Sequence, residues 1–312
     1  MGIRENQKIG SIKTFIERLE RLELDNPSES VYYFRGHSDH EGFKLIPSIY
    51  REKEWINNEH RMYREIIMKC PNDFSQIKTA FEKLVRMQHY SLPTRLLDLT
   101  ANPLAALFFA VNENTDKDAE VLIFKVPKKE VKYYDSDTVS ILTNIAKRPE
   151  NFEIQSIKGQ DDKKGFNEKE QIKYLLHEIK EEKPYFESVI VEKDIESVVC
   201  VKPKLDNPRI IRQDGAFFVF GINGDKTKPA KVPDSYRFST ENINSLNYSS
   251  EPYRLIINKS GKNKILGQLA TLGINEATMF PEIDSVSKYI KESLKKKELT
   301  KTSSGRAKGA RR

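Results

Sequence analysis

Apolar side chains recur at helical spacing at Ile12, Phe15, Ile16, Leu19 and Leu22, so the run from Ser11 to Leu24 predicts a helix with Ser11 as N-cap and Asp25-Asn26-Pro27 as its stop. Val31 to Phe34 reads as a strand, the polar run from Gly36 to Gly42 as a loop, and Leu45 to Ser48, with Pro47, as a turn. Two helices are expected next, at about 53–69 and 74–88, whose apolar positions (Trp55, Met62 and Ile66; Phe74, Ile77, Phe81, Leu84 and Val85) suit one shared core. Asn102 and Pro103 open another helix as N-cap and first residue. That helix, Leu104 to Asn112, is apolar nearly all round and is therefore expected to be buried.

Further on, Glu120 to Val126 predicts a strand, and 139–182 turns helical and highly charged around a polar insertion from Gly159 to Lys164. Strand signals return at Ser188–Val191 and Val198–Val201. Pro208 to Gly221 reads as a strand, a break at Gly215 and a second, very apolar strand. Tyr253 to Asn258 is a further strand, Ile265 to Leu272 an amphipathic helix ending at Gly273, and Ile283 to Leu294 a last helix. The expectation is an α+β fold, with helices first and most strands after, and no internal repeat. It reads as a single domain over 1–292, on which 139–182 is an elaboration, followed by a tail at 293–312.

Charge changes the picture only at that tail. Five lysines, three arginines and one glutamate between Ser293 and Arg312 account for the whole formal excess of +7, and the chain before them is formally neutral. With no apolar periodicity the tail is expected to be disordered. It is either a solvated terminus or a salt-dependent, sequence-blind anchor for nucleic acid. In the 312 residues no apolar run approaches the roughly 18 of a membrane span. The first residues lack the apolar segment of a signal peptide. Cys70 and Cys200 lie far apart in no metal-ligand spacing, and both read as reduced, buried, small apolar residues. A cytoplasmic protein without a membrane segment is expected. There is no P-loop, no dinucleotide glycine pattern and no nucleophile elbow.

Candidate chemistry concentrates in 87–110, where His89, Thr94, Arg95, Asp98, Thr100 and Asn102 are threaded through an apolar run. Buried polar groups left without partners cost roughly 1–3 kcal/mol each, so this density points to a polar pocket. Upstream, the aromatic strand Val31-Tyr32-Tyr33-Phe34 ends on Arg35 and Gly36.

Taken in order, Phe-Arg-Gly at 34–36, Leu-Ile-Pro-Ser at 45–48, the long block Gln88 to Ala110, Arg212-Gln213-Asp214-Gly215-Ala216-Phe217, and Gly273-Ile274 followed by Met279-Phe280-Pro281-Glu282-Ile283-Asp284 resemble the FRG-domain family. The resemblance spans about residues 31 to 290, and its core motifs lie at 31–110, 209–221 and 265–290. It implies a bacterial or phage-borne cytoplasmic protein of the kind found near mobile elements and defence genes. A more distant likeness, to mono-ADP-ribosyltransferases, implies an antiparallel, transferase-like sheet core with NAD as substrate and no permanently bound cofactor. In that comparison Arg35 grips the phosphates or ribose of NAD through its bidentate fork, and Thr100 or Thr94 orders the nicotinamide site. The comparison departs at the catalytic acid. Gly215 stands where the transferases carry a Glu, and Asp214, Glu276 and Glu282 are the carboxylates left to substitute.

Each residue also has a plainer reading. Arg35 could close an ion pair with Asp98 rather than hold a ligand, with Gly36 beside it allowing a ligand's close approach. His89 is a general base or a capping core histidine, and Arg95 and Asp98 could pair with each other. Thr100 and Asn102 mark a helix N-terminus that is either a cap or an anion site. Gln213 and Gly215 line the same pocket, or Gly215 is a β-bulge. Glu282 and Asp284 complement a helix dipole, and His37 sits in a solvated loop. The resulting expectation is a cleft of Arg35, Gly36, His89, Thr94, Arg95, Asp98, Thr100, Asn102 and Gln213, with no metal, that takes a nucleotide-like ligand, NAD foremost. Such a protein is a defence- or toxin-type effector that transfers ADP-ribose or consumes NAD. The competing class is a non-enzymatic module for nucleic acid or a phage protein.

Overall fold

The computed structural model describes residues 8–22, 29–157, 163–187, 189–236, 238, 253–283, 285–287 and 289. In chain order the strands are β1 (Ser30–His37), β2 (Leu96–Thr100), β3 (Ala119–Pro127), β4 (Lys132–Tyr133), β5 (Val198–Lys202), β6 (Gly215–Phe220), β7 (Ile222–Asn223), β8 (Asp225–Pro229) and β9 (Tyr253–Ile257). Seven of them form one sheet in the order β4-β5-β6-β2-β1-β3-β9, antiparallel except for β4 beside β5, and β7 and β8 form a separate ribbon. The helices are α1 (Ile12–Arg21), α2 (Lys53–Asn57), α3 (Glu59–Lys69), α4 (Pro71–Phe74), α5 (Ala80–His89), α6 (Pro103–Val111), α7 (Asp137–Asn144), α8 (Lys163–Glu168), α9 (Glu170–Glu182), α10 (Glu192–Ile195), α11 (Pro208–Gln213), α12 (Lys262–Thr271) and α13 (Glu276–Met279). The class is α+β with a mostly antiparallel sheet.

Strand alternation sorts the core. Leu97, Leu99, Tyr33, Leu122, Phe124, Cys200 and Phe218 face one side of the sheet and close on Tyr236 and Ala230. The other side carries two separate clusters. Phe217, Val219, Val199 and Leu96 pack under α3, α5, α7 and α9, whereas Phe34, Val121, Ile123 and Leu255 pack under α1, α6 and α12. The helices therefore leave the junction between β1 and β2 uncovered. Those two strands pair at one register position, Phe34 with Thr100, while β1 pairs with β3 over eight positions. The charged segment 139–182 belongs to this architecture, because Ile141, Leu142, Ile145, Ile172, Leu175 and Ile179 are core residues.

Several boundaries differ from the sequence expectation. β1 runs on through Gly36 to His37, where a loop was expected. Gly36 fits because a Cβ there would lie 2.0 Å from the Ala106 carbonyl, so its lack of a side chain admits α6 rather than a ligand. The helix expected at 53–69 is two, since Asn58 leaves helical geometry between α2 and α3. The helix expected at 74–88 starts at Ala80, where Thr79 and Glu82 form a capping box. Pro208–Gln213 is a helix rather than a strand, because Asn207 caps it and Pro208 takes its first turn, the signal that correctly opened α6 at Asn102-Pro103. Gly215 begins β6 opposite Thr100 and is no bulge. Ile190 is in no strand; its N–H and C=O bond the Asn167 side chain, at 2.8 Å each. Cys70 is exposed at the end of α3, whereas Cys200 is buried as expected. The stop at Asp25-Asn26-Pro27, most of the Gly159–Lys164 insertion, most of the last expected helix and the basic tail lie outside the described residues. Among the described residues no helix is long and apolar enough to cross a membrane.

Candidate functional site in the split between β1 and β2

Beyond their single pair the two central strands part, and a cleft of about 1090 Å³ fills the gap. Its walls are Arg35–Ser38 of β1 and the turn after it, Leu96–Thr100 of β2, the end of α5 with Tyr90–Leu92, and Phe109, Asn112 and Glu113 from the end of α6. Arg51, Arg209, Gln213, Glu276, Phe280 and Glu282 close it from the remaining sides.

Arg35 ties the two edges together. Its Nη1 donates to the Asp98 carbonyl at 2.6 Å and its Nε to His37 Nε2 at 2.9 Å. Its Nη2 makes no hydrogen bond among the described residues. Burial lowers this guanidinium to about 10; the Asp98 carboxylate works against that and Arg51 adds to it. A cation pulled down by desolvation and by a second guanidinium is one that an anionic ligand would relieve. His37 is buried in β1, not solvated, and its Nδ1 meets Glu120 Oε1 at 2.9 Å.

The opposite wall holds a carboxylate. His89 Nε2 meets Glu282 Oε1 at 2.7 Å, and His89 Nδ1 faces the Asn207 amide nitrogen at 2.9 Å. Asn207 cannot turn its amide round freely, since its Oδ1 caps α11 by accepting from Arg209 N. The Asn207 amide therefore donates to Nδ1, and the neutral ring carries its proton on Nε2, toward Glu282. Burial pushes the His89 imidazole down, Glu282 opposes this, and Arg209 and Arg86 reinforce it. Nδ1 is thus committed to Asn207, and the close contact at Nε2 makes His89 a holder of Glu282. Phe280 lies under the Arg209 guanidinium at 4.7 Å.

The remaining expected residues divide. Gln213 lines the cleft, but its Nε2 donates to the Met279 carbonyl at 2.9 Å and so fastens the segment leading to Glu282. Thr100 also lines it; its hydroxyl donates to the Gln213 carbonyl at 2.5 Å and accepts from Asn102 N, a clip between β2, α6 and α11. Asn102 caps α6 through Leu104 N and Ala105 N, away from the cleft. Thr94 is buried against Gln88 and Leu96 N. Arg95 is fully buried and forks onto Glu59 with Nε–Oε1 at 3.0 Å and Nη2–Oε2 at 2.5 Å. It makes no pair with Asp98, because positions three apart on an extended chain point to opposite sides and Asp98 is exposed toward the cleft. Lys226 completes a buried triad at 3.1 Å from Glu59. Of the candidate acids, Glu276 and Glu282 line the cleft and Asp214 does not; it closes α11 in the left-handed conformation at φ 47°.

Sequence reasoning missed Arg51, Arg209, Glu59, Lys226 and the site role of His37. Only His37 had a readable signal, its alternation with Arg35 had β1 been carried three residues past Phe34. Among the described residues no cluster of His, Cys, Asp and Glu could hold a metal ion.

Residues 30–119 match the family model of the FRG domain, a stretch that contains β1, β2, α5, α6 and both edges of the cleft. No curated protein and no solved structure matches the chain.

Proposed function

We propose that this FRG-domain protein binds a nucleotide-like ligand, NAD foremost, in the cleft between β1 and β2, and that it acts as an enzyme on it. The observation that carries this reading is Arg35, a half-buried guanidinium at the split of the sheet, with Nη2 uncommitted among the described residues and Arg51 nearby. Two guanidinia facing one cavity suit a pyrophosphate, which offers bidentate acceptors. The volume of about 1090 Å³ is at the upper end of ligand sites and has room for a dinucleotide. Tyr90, exposed at the cleft, offers a face for a ring.

On this reading Glu282 is the acid for which the sequence comparison left three candidates. The C1′–N bond of NAD breaks with its electron pair going to nicotinamide, and the Glu282 carboxylate stabilises the cationic sugar that develops. Water or an acceptor nucleophile then adds to C1′ and gives its proton to that carboxylate or to solvent. A split antiparallel sheet with an arginine on the central strand supports a transferase-like core. The cellular role that follows is that of a cytoplasmic defence- or toxin-type effector that transfers ADP-ribose or consumes NAD.

Isothermal titration with NAD and a nicotinamide-release assay test this on wild type and Arg35→Gln. Binding and release lost in a folded Arg35→Gln variant support it; a wild type that neither binds nor turns over NAD sinks it. The charge of the tail favours a second reading, a binding module for nucleic acid, with all of the formal excess of +7 between Ser293 and Arg312. That module would lose its affinity on removal of 293–312, and steeply with salt.

A further inference from the structure

The guanidinium at the cleft is held by a chain of side chains that runs away from it across three strands. Arg35 Nε donates to His37 Nε2 at 2.9 Å, His37 Nδ1 meets Glu120 Oε1 at 2.9 Å, and Glu120 Oε2 accepts from Arg254 Nη1 at 2.9 Å. The register produces this zigzag. Leu122 is the cross-strand partner of both Arg35 and Arg254, and Glu120 is the partner of His37, so all four residues alternate onto one face of β1, β3 and β9. His37 and Glu120 are buried, 4% and 1% exposed, where charge and polarity persist only if satisfied.

Donor chemistry fixes the state of the ring. An arginine Nε can only donate, so His37 Nε2 must be the acceptor and the proton must sit on Nδ1, donated to Glu120. An imidazolium would have no acceptor to offer and would set a cation against Arg35. We infer that His37 and Glu120 are positioning residues that hold the Arg35 guanidinium in the orientation in which it receives the ligand's anion, an inference that rests on the ligand reading of the cleft. The groups bearing on His37 are Arg35 from its own strand, Glu120 from β3 and Arg51 from the segment before α2; the Phe43 ring packs on it at 5.7 Å, and Arg254 reaches Glu120 from β9. Burial keeps the imidazole below its usual value, Glu120 opposes, and Arg35 and Arg51 add to the lowering, so the ring is a neutral acceptor at neutral pH.

The experiment measures NAD affinity by titration across neutral to acid pH in wild type, Arg35→Gln, His37→Phe and His37→Gln, with the Arg35 Nε–H resonance followed by nitrogen-15 NMR. His37→Phe removes the acceptor and is expected to weaken NAD about tenfold, the worth of one good hydrogen bond. His37→Gln, whose amide oxygen can accept from Arg35 and whose NH₂ can donate to Glu120, is expected to recover most of that affinity and to flatten the loss toward acid pH expected of wild type. A purely structural histidine would give neither the rescue nor the flattened profile. Loss of binding in Arg35→Gln alone, with His37→Phe binding as wild type, overturns the inference and leaves the ligand reading standing. Unchanged binding in Arg35→Gln overturns the ligand reading and the inference with it. Where His37→Phe does not fold, the wild-type pH profile and its Arg35 resonance decide. An affinity and a resonance that do not move as His37 titrates overturn the inference.

Discussion

His89 and Glu282 meet at 2.7 Å and join the last residue of α5 to the chain that follows α13. The contact brings together residues 193 positions apart in sequence, and Gln213, through the Met279 carbonyl, braces the same segment from α11. Two neutral histidines thus serve the two walls of the cleft in opposite tautomers, His37 behind a cation and His89 behind a carboxylate.

Glu282→Gln keeps an oxygen for the His89 Nε2–H, so the fold and NAD affinity are expected to stay within a few-fold of wild type. Turnover should fall about 10²–10³-fold, the usual cost of losing one charge aimed at a transition state. Glu276→Gln, at the same cleft but on α13 ahead of the Glu282 segment, should change turnover far less. Single-turnover nicotinamide release measures both, and an equal loss in the two variants would remove Glu282 from the assignment.

Gly36→Ala tests what the second residue after Phe34 is for. Its Cβ would stand 2.0 Å from the Ala106 carbonyl oxygen and 2.6 Å from Ala110 N, both helix backbone, which cannot swing aside. A loss of about 3 kcal/mol or more is expected by urea denaturation. Gly267→Ala is the counterpart at an exposed position of α12, where nothing lies within 4 Å of the new Cβ, and a gain of about 0.5–1 kcal/mol is expected there. A mild Gly36→Ala would mean that α6 can shift away from β1.

Local signals were legible where one residue type settles the matter. Ser11, Asn102 and Gly273 fixed helix ends correctly, and β3, β5 and β9 were apparent from their apolar β-branched runs. Arg35, Asp98, Thr100, Gln213 and His89 were all recognised as site candidates, and all five line one cleft. What failed was partnership across sequence. Arg95 looked paired to Asp98 because the two are neighbours in the chain, yet its partner Glu59 lies 36 positions away and the third member, Lys226, lies on β8. Charge type alone carries no address for such pairs. Burial of His37 was equally hidden, since it depends on β1 continuing past a glycine that the helix, not the strand, requires.

Acid should destabilise the fold, and the sign follows from the histidines. Both His37 and His89 are held below the usual value of 6.5 in the folded chain, in each case by burial first. As pH falls through 6.5 the unfolded chain therefore takes up protons that the folded chain refuses, and stability drops between 6.5 and the folded values. Urea midpoints from neutral to about pH 5 should decline in wild type and decline less in a His37→Gln, His89→Gln double variant. Equal slopes in the two proteins would mean that the loss comes from other groups.

Arg95 was a candidate for ligand binding, and the triad around it gives the opposite expectation. Arg95, Glu59 and Lys226 are 0%, 3% and 0% exposed, and each serves a different segment: the loop entering β2, the start of α3, and β8. Burial raises Glu59, yet Arg95 and Lys226 outweigh it and leave its carboxyl below the usual range. Lys226 is pushed down to about 8, by burial above all, with Glu59 opposing. Removing one partner leaves charge buried without compensation, and Arg95→Met is expected to cost about 3–5 kcal/mol. The triple variant Arg95→Met, Glu59→Leu, Lys226→Met should recover much of that loss, because an apolar trio of similar volume leaves no charge to solvate. At a temperature where Arg95→Met is folded, its NAD affinity should equal that of wild type. Chemical denaturation and titration on the same samples check both halves. An Arg95→Met variant that is stable but no longer binds NAD would place this guanidinium back among the ligand contacts.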